Sequence, residues 1–365
     1  MNPMTKYFFV ALLLAGMATP VFADGEGIDC HDPKYVNIKN AAKKNYADML
    51  AHDKAGRTKE AFDAASKFDP SCMSKNGQEI DRHRATRWAM LRKTSLKLGE
   101  QAESKGKFAE AHKYFSEHYY GIAADRVEMK MATAKPDDFQ TVSKAVYRFR
   151  QTREHLNRLD MNELRKISVD DHDAIARRGY SPDQFGPMMT ERDPRLKAIA
   201  GYLDKLQAIA TRNGDKFLSD EDKIFSARKT SMTAKGDSFD ELKKAREWHG
   251  LFEQEKRVND RAVKRGDTLL ADDSRKSIEL ALSYYGFARN EAGARQARDK
   301  ARRLGDAHLK KGEKKIAADY YNLAGLGDKA AKLEESHEAE KEKAEVKRQD
   351  KFKKDQKSLE KELGF

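Results

Sequence analysis

Apolar residues recur at three- and four-residue intervals through most of the chain. Phe139, Val142, Val146, Phe149 and Leu156 form one such series, and Leu196, Ile199, Leu203, Leu206 and Ile209 another. This spacing puts the residues of each series on one face of an α-helix. Period-two alternation rich in Val, Ile and Thr is absent, so no strand is expected. Ser238-x-x-Glu241 has the pattern of a capping box, and Ser181-Pro182 places proline where a first helical turn tolerates it. Pro136, Gly179, Gly186 and Pro194 punctuate the middle third, so the 168–194 stretch predicts short helices and loops rather than one long element. From Asp328 onward opposite charges interleave, as in Glu340-Lys341-Glu342-Lys343, which predicts a long charged helix. That helix is read as a solvated one, or as a capping or partner-binding helix with Phe352, Leu359, Leu363 and Phe365 as its apolar edge.

A repeat runs through this helical pattern. Ala281-x-x-Tyr284-Tyr285-x-x-Ala288 recurs as Ala317-x-x-Tyr320-Tyr321-x-x-Ala324, with a relative in Ala111-x-x-Tyr114-Phe115-x-x-His118. A matching lead-in precedes two of these copies: Leu98-Gly99 with Gly106, and Leu304-Gly305 with Gly312. Small Ala residues let a neighbouring helix approach, the aromatic pair fills the space beside it, and the second Gly opens the turn. Tyr285 and Tyr321 are therefore expected at equivalent buried positions.

At these residues the chain resembles the tetratricopeptide repeat. Leu98, Gly99, Gly106, Phe108, Ala111 and Phe115 match that family's pattern, and Leu304, Gly305, Gly312, Ala317, Tyr321 and Ala324 match it again. The family's terminal Pro is missing from both copies, and His118 replaces the third small residue in the first. A weaker copy, Gly56 and Glu60-Ala61 leading to Pro70, is three residues shorter than the family spacing. The resemblance implies an all-α fold of stacked helical hairpins, an α-solenoid-like array ending in the long charged helix. Generic helical hairpins are the alternative.

Composition narrows the compartment. With 39% hydrophobic and 36% charged residues in 365, the chain is neither a polytopic membrane protein nor wholly disordered. Residues 1–23 read as a secretory signal peptide: Lys6 supplies the positive end, 7–15 the apolar run, and Val21-Phe22-Ala23 the cleavage site. The expected mature chain starts at Asp24, without a membrane span, in the periplasm; a retained N-terminal anchor is the other reading. Its expected regions are 24–135, an N-terminal helical-hairpin region, and 136–265, a middle helical region. They are followed by 266–327, the C-terminal hairpin repeats, and 328–365, the charged tail. Cys30 and Cys72 are the only cysteines, and in an oxidising compartment a structural disulfide between them is expected. A helical hairpin between them would return the chain to its starting end. A redox-active pair is the sharper reading, but neither a C-x-x-C nor a thioredoxin-like pattern is present.

Catalytic signals are poor. H-E-x-x-H, G-x-S-x-G and phosphate-binding glycine loops are missing, and the S-x-x-K matches at Ser104, Ser226 and Ser358 lack their companion motifs. Glu103-Ser104 resembles the catalytic Glu-Ser of lytic transglycosylases, but the Gly-Leu-Met-Gln stretch of that family is absent. Asp170, His172 and Asp173 form the one candidate metal cluster, and the run they belong to reads more simply as the acidic first turn of a helix. No metal, cofactor or catalytic residue is expected. Asn213-Gly214-Asp215 with Asp220 and Asp222 fails the register of a calcium-binding EF-hand.

Charge gives the remaining clue. The net charge is +12, and 289–315 holds ten basic residues against four acidic. Arg295, Arg298 and Arg302 share a helix face that Arg303 flanks, which makes them the candidate partner-binding residues. Expected partners are acidic envelope proteins, with peptidoglycan or lipid phosphate as further anionic surfaces; nucleic acid is excluded by export. The expected function is a non-catalytic protein-binding scaffold or accessory factor of the bacterial cell envelope. The alternative is a peptidoglycan-associated enzyme or wall-binding module that uses the 168–194 stretch.

Overall fold

Three aromatic rings sit directly on glycines of the preceding helix in the computed structural model, which describes residues 31–168, 171–178, 182–230 and 238–362. A Cβ built on Gly99 would fall 2.4 Å from the Phe115 ring, one on Gly266 2.6 Å from Tyr285, and one on Gly305 2.9 Å from Tyr321. All three rings are fully buried. The backbones meet closely because the first helix of each hairpin has no side chain at that point.

The helices follow one another with short connections, and no strand occurs among the described residues. In chain order they begin with α1 (Val36–Lys54), α2 (Thr58–Lys67), α3 (Gly77–Ser104), α4 (Phe108–Glu117) and α5 (Gly121–Ala134). The middle holds α6 (Phe139–Arg158), α7 (Met161–Leu164), α8 (His172–Arg177), α9 (Pro182–Thr230) and α10 (Ser238–Gly250). The last are α11 (Lys256–Leu270), α12 (Arg275–Ala288), α13 (Glu291–Lys310), α14 (Lys314–Leu323) and α15 (Gly327–Glu362). Two compact units result: Met1–Lys135 with Tyr147–Tyr202, and Pro136–Val146 with Leu203–Phe365. In the first, α1 to α5 each pack on the next; in the second, α11 to α15 do the same. Contacts of α11 with α13 and of α12 with α14 add the next-neighbour packing of a helical-hairpin repeat array.

The turns repeat as closely as the locks. Gly56, Gly106 and Gly312 carry φ of 72°, 71° and 79°, the left-handed conformation that glycine adopts without a Cβ penalty. After each, an N–H returns to a carbonyl one turn back: Arg57 to His52 at 2.9 Å, Lys107 to Ala102 at 2.9 Å and Glu313 to His308 at 3.0 Å. This is the Schellman geometry that closes a helix C-terminus. The second helices end alike, with Tyr119, Arg289 and Gly325 at φ of 61°, 55° and 77°.

One sequence expectation is overturned. Pro187 and Pro194 lie inside α9, which runs unbroken from Pro182 to Thr230 where short helices and loops were expected for 168–194. An interior proline costs a helix roughly 3 kcal/mol. Here side-chain bonds on both sides of Pro194 oppose the break: Arg192 donates to the Leu156 carbonyl, and Arg195 grips the Asp125 carboxylate through two bonds. The buried Phe185 and Ile199 anchor the same stretch.

The N-terminal hairpin returns the chain as expected. His31 Nε2 donates to the carbonyls of Ser71, at 3.1 Å, and Ser74, at 3.0 Å, so position 31 lies beside the residues flanking the buried Cys72. Cys30 and residues 1–23, where the sequence predicts a signal peptide, lie outside the described residues. At the other end α15 docks through the buried Ala330 and through Lys329, whose ammonium is 3.1 Å from Asp306. Beyond the ion pair of Lys314 with Glu340, Val346 and Phe352 are exposed. Among the described residues no helix is long and apolar enough to cross a membrane.

Candidate functional site

The buried positions of α13 are all small residues: Gly293, Ala294, Ala297, Ala301 and Gly305. This lets α12 and α14 approach closely, with Tyr285 on Gly293 and Tyr321 on Gly305. The tyrosines keep their hydroxyls satisfied at the edge of the core. Tyr285 donates to Asp267 at 2.7 Å and Tyr321 to Asp306 at 2.6 Å. Burial, then the neighbouring carboxylate, pushes both phenols up from their ordinary range.

A helix packed this tightly on one side presents everything else on the other. Arg295, Arg298, Arg302 and Arg303 are all exposed. Arg295 makes only a long bond, 3.4 Å, to the Glu291 carbonyl. Arg302 lies 3.3 Å from Asp299 in a pair whose side chains are both more than half exposed, and such pairs contribute little. Asp306, the other carboxylate within helical reach, is committed elsewhere. The Tyr321 hydroxyl and the Lys329 ammonium hold it below the ordinary carboxylate range. Arg298 and Arg303 have no ion partner among the described residues. The structure therefore brings the four sequence-derived arginines onto one exposed helix face.

Not every cation of this repeat belongs to that face. Lys300 turns inward, donating to the Leu270 carbonyl at 2.6 Å and pairing with Asp273 at 2.6 Å. It braces the connection between α11 and α12. Asp272 there is held down at about 2 by the hydroxyls of Ser277 and Ser274.

The other sequence candidates fare differently. Asp170 and the side chains of His172 and Asp173 lie outside the described residues; among those described, no three His, Cys, Asp or Glu side chains are grouped to hold a metal ion. Glu103 is gripped by Arg126 through two bonds, 3.0 and 2.6 Å, and by Lys130 at 2.8 Å. Those donors hold its carboxyl below the ordinary range, whereas a glycosidase general acid needs it raised. Asn213, Gly214 and Asp215 sit within α9, where Gly214 makes room for the His249 ring rather than for an ion.

Sequence reasoning missed one part of the repeat and saw another, the hairpin around Gly56, only as a shortened copy. Gly266 is the lock glycine for Tyr285, but it precedes its aromatic by nineteen residues where Gly99 and Gly305 precede theirs by sixteen. The shared Gly-Asp step, Gly266-Asp267 and Gly305-Asp306, was the available signal. The hairpin of α1 and α2 also has the common register, with Met49, Gly56, Ala61 and Ala65 spaced as Gly305, Gly312, Ala317 and Tyr321 are. No family model matches the chain, and no curated protein or solved structure matches it either.

Proposed function

We propose that the chain is an exported, tetratricopeptide-like repeat protein that serves the bacterial cell envelope as a non-catalytic scaffold, holding an acidic protein partner on the outer face of α13. The observation that carries this reading is the exposed arginine face, in which Arg298 and Arg303 lack a carboxylate partner among the described residues. The Ala/Gly stripe behind it fixes the helix in the array, so the charges are presented on a rigid support. Export rests on Lys6, the apolar run and the Val21-Phe22-Ala23 site, and the repeat resemblance on Leu98-Gly99, Leu304-Gly305 and their aromatic partners. Mature chain immobilised in low salt should capture an acidic protein from envelope extract, and an Arg298→Glu, Arg303→Glu variant should not. Equal capture by both proteins would place the partner elsewhere.

A second reading, a wall-binding module, draws on one observation: Gln184, Glu191 and Arg192, in or next to the 168–194 stretch, line a cavity of the first unit. Sedimentation of the chain with purified peptidoglycan, unaffected by the arginine reversals, would favour it.

A further inference from the structure

The first unit contains a cavity of about 460 Å³, within the range of small-molecule sites. Four helices enclose it. His112 and Ser116 come from α4, Asp125 from α5, Arg148 and Thr152 from α6, and Glu191, Arg192 and Arg195 from α9. Three guanidiniums thus face two carboxylates across the lining.

The carboxylates are engaged to different extents. Both oxygens of the buried Asp125 are taken by Arg195, at 2.6 and 3.0 Å. Glu191 accepts the Ile122 N–H at 3.3 Å, at the start of α5. Glu128, buried behind the lining, accepts from Arg148 at 2.9 Å and lies 3.5 Å from His112. Arg148 and Arg192, in contrast, keep donors to spare. Arg148 is held through Nη1, and Arg192 through Nε on the Leu156 carbonyl and Nη1 on Asp193. Their remaining N–H groups have no partner among the described residues. Arg195 is held in place partly by what is missing beside it. A Cβ on Gly121 would fall 2.6 Å from its Nη1, so only glycine admits the guanidinium there.

We propose that this cavity binds a small molecule bearing a carboxylate or phosphate group. Guanidiniums oriented by protein carboxylates on one edge present a rigid, planar fork of donors on the other, the geometry that pairs with an oxyanion through two parallel bonds. The Thr152 hydroxyl adds a neutral donor for a remaining polar group of such a ligand, while Ser116, whose O–H donates to the Lys113 carbonyl, offers only an acceptor. Asp125 has both oxygens engaged by Arg195 and Glu191 has one on the Ile122 N–H, so the three lining guanidiniums outnumber the carboxylate oxygens left open to the cavity. This site lies in the first unit and is independent of the arginine face on α13.

Isothermal titration calorimetry of the whole mature chain tests the proposal with three probes: inorganic phosphate, glucuronate and glucose. Binding of phosphate or glucuronate, with none of glucose, is expected; the anion that binds more tightly identifies the source. Arg148→Lys keeps the charge beside Glu128 but removes the fork, and Thr152→Phe fills the cavity. Each should weaken binding at least roughly tenfold with an unchanged circular-dichroism spectrum. Glucose binding as tightly as glucuronate would overturn the oxyanion assignment. So would silence with every probe at about 10 mM, or undiminished binding in both variants. If one variant unfolds, the other decides.

Discussion

Met49 and Ala65 lie in one buried cluster of the first hairpin with their sizes exchanged relative to Gly305 and Tyr321 of the last repeat. In the later hairpins the first helix gives up its side chain and the second supplies a ring. In the first hairpin the bulk stands on the first helix and a methyl group on the second. Register, turn glycine and helix spacing stay the same, so the exchange keeps the volume between the helices filled.

Exchanging the sizes back tests that equivalence. Met49→Gly alone should destabilise the first unit by about 2–5 kcal/mol, as large-to-small core changes do. Adding Ala65→Phe should recover part of the loss by rebuilding the lock of Gly99 and Phe115. Denaturant unfolding of the two variants checks this, and a double variant less stable than the single one would refute the shared register.

In the second unit the lock can be broken from either side. Tyr285→Ala removes a fully buried ring and should cost about 3–5 kcal/mol. Gly266→Ala places a methyl 2.6 Å from that ring and should cost about 1–3 kcal/mol through overpacking. Tyr321→Phe keeps the ring and loses only the bond to Asp306, so about 1 kcal/mol is expected. Thermal unfolding should rank the three in that order.

The parts of this fold that are legible in the sequence are those where size and spacing recur together. Gly99, Gly106, Ala111 and Phe115 repeat as Gly305, Gly312, Ala317 and Tyr321 because the same close approach is solved twice by the same residues. Met49 and Ala65 escape such a reading because the pattern records residue types, whereas packing constrains only their summed volume. Gly266 escapes it because the connection that Lys300 and Asp272 secure is longer. The continuity of α9 through Pro194 depends on Arg192 and Arg195 finding partners far away in the chain, which no local pattern encodes. The arginine face is legible because it lies on a single helix; the cavity is not, because its lining comes from four.

His31 lies beside Ser71 and Ser74, on either side of Cys72, and the sequence has its one other cysteine next to His31. A Cys30–Cys72 disulfide is therefore expected in oxidised protein, stabilising the first hairpin by about 2–4 kcal/mol. Peptide mapping without reduction should recover the two cysteines linked. Cys72→Ser should lower the unfolding midpoint of the first unit and leave the second nearly unchanged, because repeat arrays couple mainly to neighbours.

His249 makes the second unit sensitive to acid. Its side chain is fully buried, with Gly214 against the ring, Asp215 Oδ1 3.3 Å from Nε2, and Arg257 2.8 Å from the same carboxylate oxygen. Burial dominates and lowers its pKa from 6.5, although Asp215 favours the charged form. A group with a depressed folded pKa contributes stability that is present above the unfolded value and lost as pH falls through the folded one. The unfolding midpoint of the second unit should therefore drop as pH is lowered below 6.5. His249→Phe, of similar shape and without a proton to bind, should flatten that dependence; an equally steep dependence in the variant would assign it to other groups.

The arginines of α13 should not contribute equally to partner binding. Arg302 shares its charge with Asp299, while Arg298 and Arg303 have no ion partner among the described residues. Arg298→Glu and Arg303→Glu should each slow association by roughly tenfold in low salt, since exposed charges act mainly through steering of the encounter. Arg302→Glu should slow it less: the wild-type charge is already partly offset. Raising ionic strength should shrink all three effects, because exposed charges are screened beyond about 10 Å at 0.1 M salt. All four arginines are exposed and none belongs to the buried Ala/Gly stripe, so the variants should keep the wild-type unfolding midpoint. Surface plasmon resonance against the captured acidic partner gives the rates. Equal effects at all three positions would mean that the pair with Asp299 opens on binding; no effect at Arg298 and Arg303 would move the partner off this helix.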